Sequence, residues 1–304
     1  MNKKIVIGAR GSKLSLSYAE KVKNLLFLAT KKKTEIEIQP IKTSGDVFYD
    51  KKISEIGGKN IFCKEIEKKL IEKKVDIAVH SLKDMDSFEE SNLSIAAYIK
   101  RNDPRDVLIL NKKKSLLTDE IVIGSSSKRR ELQFRSHIKK AKYKEIRGNI
   151  DSRILKVKEG KYDGTILALA GVQSLKLEKE INKIYSLDEI IPAAGQGIIV
   201  AQCRKDNTDL FNELRKINDV ETELCALTER SLLKTIGGDC HTAVGAYAKI
   251  DKDNITIISQ LFSDDGLKSF LTQKKGDKKY PEQLGISAGK DLLKQSEGNY
   301  KKKR

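Results

Sequence analysis

The chain has 304 residues, enough for two or three domains with a substantial buried core. Its 60 lysines and arginines against 43 aspartates and glutamates give a formal charge of +17, which favours anionic partners: nucleic acid, an acidic membrane surface or a polyanionic small molecule. Four widely spaced cysteines (Cys63, Cys203, Cys225, Cys240) and three histidines argue against a zinc site. No apolar run reaches the roughly 18 residues of a membrane span, and the amino terminus lacks the apolar core of a secretion signal, so a reducing cytoplasm is the expected compartment.

In chain order, residues 5–7 read as a strand, 14–28 as an amphipathic helix and 35–41 as a strand alternating at period two. Gly57-Gly58 breaks the chain before Ile61, Ile66 and Leu70, one apolar helical face that leads into a short apolar strand at 77–79. Such strand–helix alternation predicts a parallel sheet with helices on both faces. The polar, proline-marked Arg101-Asn-Asp-Pro-Arg105 is a hinge candidate. A second alternating set follows: strands at 107–110 and 121–123, helices at 127–134 and 151–159, and a buried strand at 165–170. Residues 190–197 read as a second crossing, and 198–203 as a strand returning to the first domain. From Asp219 the order becomes α+β: a helix at 221–235, strands at 243–250 and 255–261, a helix at 281–294, then a Lys-rich tail expected to be disordered. The fold class is therefore α/β, two doubly wound domains plus a small α+β C-terminal domain. The borders fall at 1–99 with 199–217, at 100–198 and at 218–304.

The segment Val75-Asp-Ile-Ala-Val-His-Ser-Leu-Lys-Asp-Met85 ends its apolar run abruptly in Ser81, Lys83 and Asp84. Ligands of open α/β sheets collect beyond the carboxyl ends of such strands. There a lysine and an aspartate bring a cation and a carboxylate to the mouth of a crevice, although a solvated turn would look the same. Gly124-Ser-Ser-Ser-Lys-Arg-Arg130 offers Ser125, Ser126 and Ser127 at a strand-to-helix junction. Arg129 and Arg130 in the first helical turn oppose the helix dipole, a conflict that a bound anion would resolve; an ordinary serine cap with surface arginines is the alternative. Arg147 and Arg153 flank another helix start, with Asp151 or Ser152 as cap, and Arg10 and Ser12 follow the first strand. Arginines collected on strand-end loops of two doubly wound domains describe a cleft for a compact polyanion, because guanidinium forks carboxylates and phosphates bidentately. Ala193-Ala-Gly-Gln-Gly197 is a small-residue loop open to close ligand approach. Cys240 follows Gly237-Gly-Asp on a loop, where a thiol near a basic cleft can serve as nucleophile or covalent anchor; Cys225 lies mid-helix and reads as structural.

Together these segments resemble the porphobilinogen deaminase (hydroxymethylbilane synthase) family, collinearly from Ile5 to about Tyr247. The motifs that carry the resemblance are Gly8-Ala-Arg-Gly-Ser12, Lys42-Thr-Ser-Gly-Asp46, Gly57-Gly-Lys-Asn-Ile-Phe62, Asp76 to Asp84, Asp103-Pro-Arg-Asp106, Gly124 to Arg130, Arg147-Gly-Asn149, Pro192 to Gly197 and the Cys240 loop. The resemblance implies two domains built like type II periplasmic binding proteins and a third carrying the cofactor cysteine. It implies a dipyrromethane cofactor held by a thioether to Cys240, and Asp84 as the catalytic residue. Lys83, Ser81, Ser125, Ser126, Ser127, Arg129 and Arg130 match cofactor-binding positions; Arg10, Ser12, Lys59, Phe62, Arg147, Arg153 and Gln196 match substrate-binding ones. It further implies a cytoplasmic monomer whose partners are porphobilinogen and the growing oligopyrrole chain, with neither metal, nucleic acid nor membrane. Tyr18, Ser174, Asp239 and Ala243 depart from the family pattern, and the loss of an arginine at Ser174 leaves Lys176 as a substitute carboxylate contact. A non-enzymatic organic-anion binding module and a basic nucleic-acid-binding protein are the competing readings.

Overall fold

A computed structural model describes residues 4–31, 34–44, 63–114, 120–138, 141–237 and 242–300. The chain divides into two compact units, Met1–Asn102 with Gly197–Leu227, and Asp103–Gln196 with Thr228–Arg304.

The first unit begins with β1 (Ile5–Arg10), α1 (Lys13–Ala29), β2 (Ile36–Ile41), α2 (Lys64–Ile71), β3 (Ile77–Ser81) and β4 (Leu93–Ile99). Its sheet runs β2-β1-β3-β10-β4, where β10 (Ile199–Arg204) enters after the second crossing. β1 pairs in parallel with β2 and β3, whereas β10 is antiparallel to β3 and β4. The strand period puts Ile7, Ala9, Ile77 and Val79 on one face, against Tyr18, Val22 and Leu26 of α1 and Leu210 and Leu214 of α6 (Thr208–Arg215). Ala78 and Ile41 on the other face meet Ile66 and Leu70 of α2. Each fully buried Ile or Leu contributes about 1.5–3 kcal/mol of transfer free energy, so both helices are held by their apolar stripe more than by propensity.

The second unit repeats the plan. β5 (Asp106–Leu110), β6 (Val122–Gly124), α3 (Lys128–Phe134), β7 (Lys142–Lys144), α4 (Ile150–Lys158), β8 (Gly164–Ala168), α5 (Leu169–Ser174) and β9 (Lys183–Ile184) build a sheet ordered β7-β6-β8-β5-β9. Again the first, second and third strands are parallel and the inserted one, β5, is antiparallel. One face buries Leu108, Ile123 and Ile166 against Phe134, whose ring meets Tyr185 edge-on at 4.6 Å; the other buries Val107, Ile109 and Leu167 against Ile154 and Val172.

The remaining elements are α7 (Val220–Ile236), the antiparallel sheet β11-β12-β13 (Val244–Asp251, Asn254–Phe262, Ser269–Asp277) and α8 (Pro281–Ser296). Gly285 and Gly289, one turn apart on α8, permit its close packing: a Cβ on Gly285 would lie 2.1 Å from the Thr228 carbonyl oxygen.

Two expectations are corrected. The strand read at 165–170 stops at Ala168, and Leu169 and Ala170 open α5; the whole stretch is buried and apolar, so its period does not separate strand from helix. The helix after Arg147 starts at Ile150 with Asn149 in the cap position, not Asp151 or Ser152, and the Ser152 hydroxyl instead donates to the Asn149 carbonyl at 3.0 Å.

Candidate functional site

In the first unit, the predicted residues gather at the carboxyl ends of adjacent parallel strands. Arg10 is the last residue of β1, and Ser12 caps α1, its Oγ accepting from the Ser15 amide at 3.3 Å. Beside it, β3 ends at Ser81 and tightens into a 3-10 turn over Leu82–Asp84, closed by Met85 N donating to Leu82 O at 3.2 Å. Buried Leu82 anchors this turn, and its amide donates to the Ile198 carbonyl at 3.0 Å. Lys83 and Asp84 are thereby carried half-buried at the sheet edge. They do not pair: among the described residues, no cation lies within ion-pair reach of the Asp84 carboxylate.

A buried polar row supports the turn. The Cys63 thiol, 2% exposed, donates to the Asp84 carbonyl at 3.6 Å, and burial pushes its pKa far up, so it stays protonated. Gln202 Nε2 donates to Glu67 Oε1 at 3.3 Å, and burial raises the Glu67 carboxyl. Burial lowers His80 to about 4, so its ring is neutral at neutral pH; its Nε2 has no hydrogen-bond partner among the described residues. Cys203 and Cys225 are buried as well, and burial raises Cys203 to about 11.

The second unit assembles its own group, again at the carboxyl ends of parallel strands. After β6, the Ser125 amide donates to Lys144 O at 2.9 Å, the Ser126 hydroxyl donates to Ile146 O, and Ser127 caps α3 by accepting from the Arg130 amide at 3.4 Å. Arg129 and Arg130 are not surface arginines. They are 5% and 8% exposed, and both reach Asp106, the first residue of β5, at 2.8 Å. Among the described residues, the carboxylate that meets both cations is the chain's own Asp106. Burial alone would raise Asp106, but the two guanidinium charges and their hydrogen bonds hold it well below the usual carboxylate range. Gln196, fully buried, donates to Pro104 O at 2.7 Å and to Asp106 Oδ1 at 2.9 Å. Gly195 and Gly197 take φ of +74° and +83°, so the small residues of this loop serve its turns, and the Gly195 amide donates to Glu229 Oε2 at 2.7 Å. Arg147 is half-buried with Nη1 3.7 Å from Glu145, and Arg153 Nε donates to Gly148 O at 2.7 Å.

Lys59, Phe62 and Cys240 lie outside the described residues, as does the tail from residue 301. Of the departures, Tyr18 is buried in the core, the Ser174 hydroxyl donates back to Ala170 O at 2.7 Å, and Lys176 is exposed. Sequence reasoning missed Asp106 as a site residue; its signal was the buried run that follows it, which makes it the entry of a strand. A cavity of about 360 Å³ lies elsewhere, at the amino-terminal edge of the first sheet, walled by Lys4, Lys216, Asp76 and Asp209 among others. Strand-end chemistry has no share in it. Among the described residues, no cluster of His, Cys, Asp and Glu could hold a metal ion, and no helix is long and apolar enough to cross a membrane.

The fold and these two groups define a doubly wound α/β protein in which one sheet carries at its strand ends a carboxylate that meets no cation among the described residues, and the other carries two arginines gathered on a carboxylate beside three serines. Its sequence is more particular still. Residues 5–212 match the family described as porphobilinogen deaminase, dipyromethane cofactor binding domain, and residues 223–294 match porphobilinogen deaminase, C-terminal domain. A porphobilinogen deaminase of Alkaliphilus metalliredigens is 39% identical over 291 residues, covering 95% of this chain and 92% of the relative. That of Coxiella burnetii is 36% identical over 291 residues, covering 96% and 94%. The periplasmic VFT2 domain of Bordetella pertussis BvgS overlays with a TM-score of 0.40 at 16% identity, covering 70% of this chain and 85% of that one, too loosely to bear on function. The chain belongs to the porphobilinogen deaminase family.

The family implies a dipyrromethane, and the residues present fit one. Arg129 and Arg130 share a single carboxylate, which leaves a buried surplus of positive charge suited to a ligand bearing carboxylates.

Proposed function

We propose that Asp84 is the catalytic residue of a porphobilinogen-condensing enzyme, and that the strand-end arginines, lysines and serines of both units hold the carboxylates of substrate and product chain. Porphobilinogen carries an acetate, a propionate and an aminomethyl group. Loss of ammonia leaves an electron-poor, cationic pyrrole unit. A carboxylate near the pyrrole nitrogen stabilises that charge where it develops and can accept the ring proton later released. Asp84 suits both tasks because, among the described residues, no guanidinium or ammonium lies within ion-pair reach of it. Lys83, Ser81, Arg10 and Ser12 orient the acidic side chains around it, and Lys59 and Phe62 belong to the same substrate group.

When bound, the dipyrromethane on Cys240 supplies a covalent anchor and the free pyrrole carbon to which units are added. Arg129, Arg130, Ser125, Ser126 and Ser127 are its proposed holders, and Arg147, Arg153 and Gln196 serve the growing chain. Four units are joined head to tail, and water releases a linear hydroxymethylbilane. A cytoplasmic monomer needing neither nucleic acid nor membrane, with domain borders near residues 100, 198 and 218, is part of the same proposal.

The observation that carries the reading is the Asp84 carboxylate, which meets no cation among the described residues, on a turn anchored by buried Leu82 at the carboxyl edge of β3 next to Arg10 and Ser12. Purified protein is expected to exceed its sequence mass by one dipyrromethane and to give the colour reaction of dipyrroles with acidic dimethylaminobenzaldehyde. Asp84→Ala should retain that mass and lose nearly all porphobilinogen consumption. Normal turnover in Asp84→Ala would move the catalytic role to another residue.

A further inference from the structure

Asp106 is the residue that the proposed chemistry leaves without a task, yet more of the second unit's site converges on it than on any substrate-facing group. It is 1% exposed. Its Oδ2 accepts from Arg129 Nη1 at 2.8 Å, and its Oδ1 accepts from Arg130 Nη2 at 2.8 Å, Arg130 Nε at 3.2 Å and Gln196 Nε2 at 2.9 Å. The donors come from two separate segments, α3 and the loop at 193–197, and all three residues are assigned above to cofactor or substrate. Backbone carbonyls complete the frame: Ile191 O accepts from Arg129 Nη1 at 2.9 Å, and Ile166 O from Arg130 Nη1 at 3.1 Å.

Position in the fold explains how one carboxylate collects them. β5 is antiparallel to β8, with Asp106 opposite Ala168, the last residue of that strand. The start of an antiparallel strand therefore lies at the edge where the parallel strands end, the edge at which ligands of such sheets bind. Charge explains why it matters. Two guanidinium groups meet one carboxylate, and among the described residues no other carboxylate lies within ion-pair reach of either. Without Asp106, two like charges would be buried side by side, and each long side chain would be free to swing out of register. Fixing a long arginine side chain costs rotamer entropy. With Asp106 in place, that cost is met on folding instead of on ligand binding.

We infer that Asp106 is a positioning residue: it presets Arg129 and Arg130 for the dipyrromethane and Gln196 for the growing chain, neutralising one of the two guanidinium charges and leaving the other to a ligand carboxylate. This rests on the cofactor-holding role proposed for the two arginines. Asp106 touches no reacting atom, and its influence passes through the three side chains it holds.

The test is cofactor loading measured against fold. Wild type, Asp106→Glu and Asp106→Asn are purified, and the fraction carrying the dipyrromethane mass is read by intact mass spectrometry alongside circular dichroism and thermal unfolding. Asp106→Asn keeps shape and one acceptor but not the charge. Its folded protein is expected to load at least about tenfold less than wild type, the change that about 1.4 kcal/mol of weakened binding gives. Its unloaded form should acquire the dipyrromethane mass more slowly on incubation with porphobilinogen, and Asp106→Glu should recover part of the loading. A residue that only stabilised the fold would lower the melting temperature and leave the folded fraction fully loaded, which would overturn the inference. If Asp106→Asn does not fold, the double variant Asp106→Asn/Arg129→Gln restores a single positive charge. It should fold and stay poorly loaded, whereas full loading would again overturn the inference. A wild-type protein that consumes porphobilinogen without carrying the dipyrromethane mass would overturn both this inference and the cofactor reading beneath it.

Discussion

Asp84 and Asp106 occupy comparable places in two sheets of the same strand order, and they do opposite things. Asp84 closes the turn after the third strand of its sheet, half-buried, with no cation in reach among the described residues. Asp106 opens the inserted antiparallel strand of the other sheet, 1% exposed and gripped by two guanidinium groups. Both are carboxylates at a carboxyl-end edge, so topology alone does not tell them apart. What separates them is pairing: a carboxylate left unpaired can meet charge that develops on a substrate, while one already spent on two arginines can only organise them.

The comparison breaks most easily at Asp106. Asp106→Ala leaves two buried cations without a partner and is expected to cost about 3–5 kcal/mol in urea unfolding. A loss under 1 kcal/mol would mean that water already screens the cluster. Asp84→Asn should show the reverse pattern. Stability should stay within about 0.5 kcal/mol, while kcat falls by about a hundredfold or more, the loss seen when one transition-state electrostatic contact is removed.

Acid sharpens the contrast. Asp106, depressed in the fold, contributes fully above the ordinary aspartate value of 3.8 and loses that contribution only as pH falls towards its own lower value. His80 acts earlier. Its folded value of about 4 lies below the ordinary 6.5, so the unfolded chain takes a proton that the fold refuses, and stability falls as pH drops through that interval. The limit of the effect is about 1.4 kcal/mol per pH unit. Glu67, raised by burial, works in the opposite sense, so the informative quantity is the difference between wild type and His80→Gln in urea unfolding from pH 7 to pH 4. A flatter profile in His80→Gln is expected; identical profiles would show that water reaches the ring. The smallest effect is shared by both units. Ser12 and Ser127 each follow the second strand in the order of their sheet and cap the next helix, so alanine at either position should cost about 1 kcal/mol.

Much of this was legible in the amino-acid order. The apolar run that stops before Ser81 marks β3 and delivers Lys83 and Asp84 to the sheet edge, and the helices at α1 and α7 follow from their periodic apolar positions. β13 was not legible, because Gln273, Lys274, Lys275 and Gly276 give an edge strand the composition of a loop. Nor were the two-residue β9 and the end of β8, where continuous burial hides the period. Asp106 escaped for a different reason. Its neighbours Asp103, Pro104 and Arg105 look like a hinge, and only the antiparallel sense of β5 turns its first residue towards Arg129 and Arg130.

The most direct measurement compares Asp84→Asn and Asp106→Asn by intact mass, each at matched folded fraction. The account predicts that the Asp84 variant carries the dipyrromethane mass yet leaves porphobilinogen unconsumed, while the folded Asp106 variant is found largely at its bare sequence mass. An Asp106 variant as fully loaded as wild type, or an Asp84 variant that turns over normally, would contradict the division of labour between the two carboxylates.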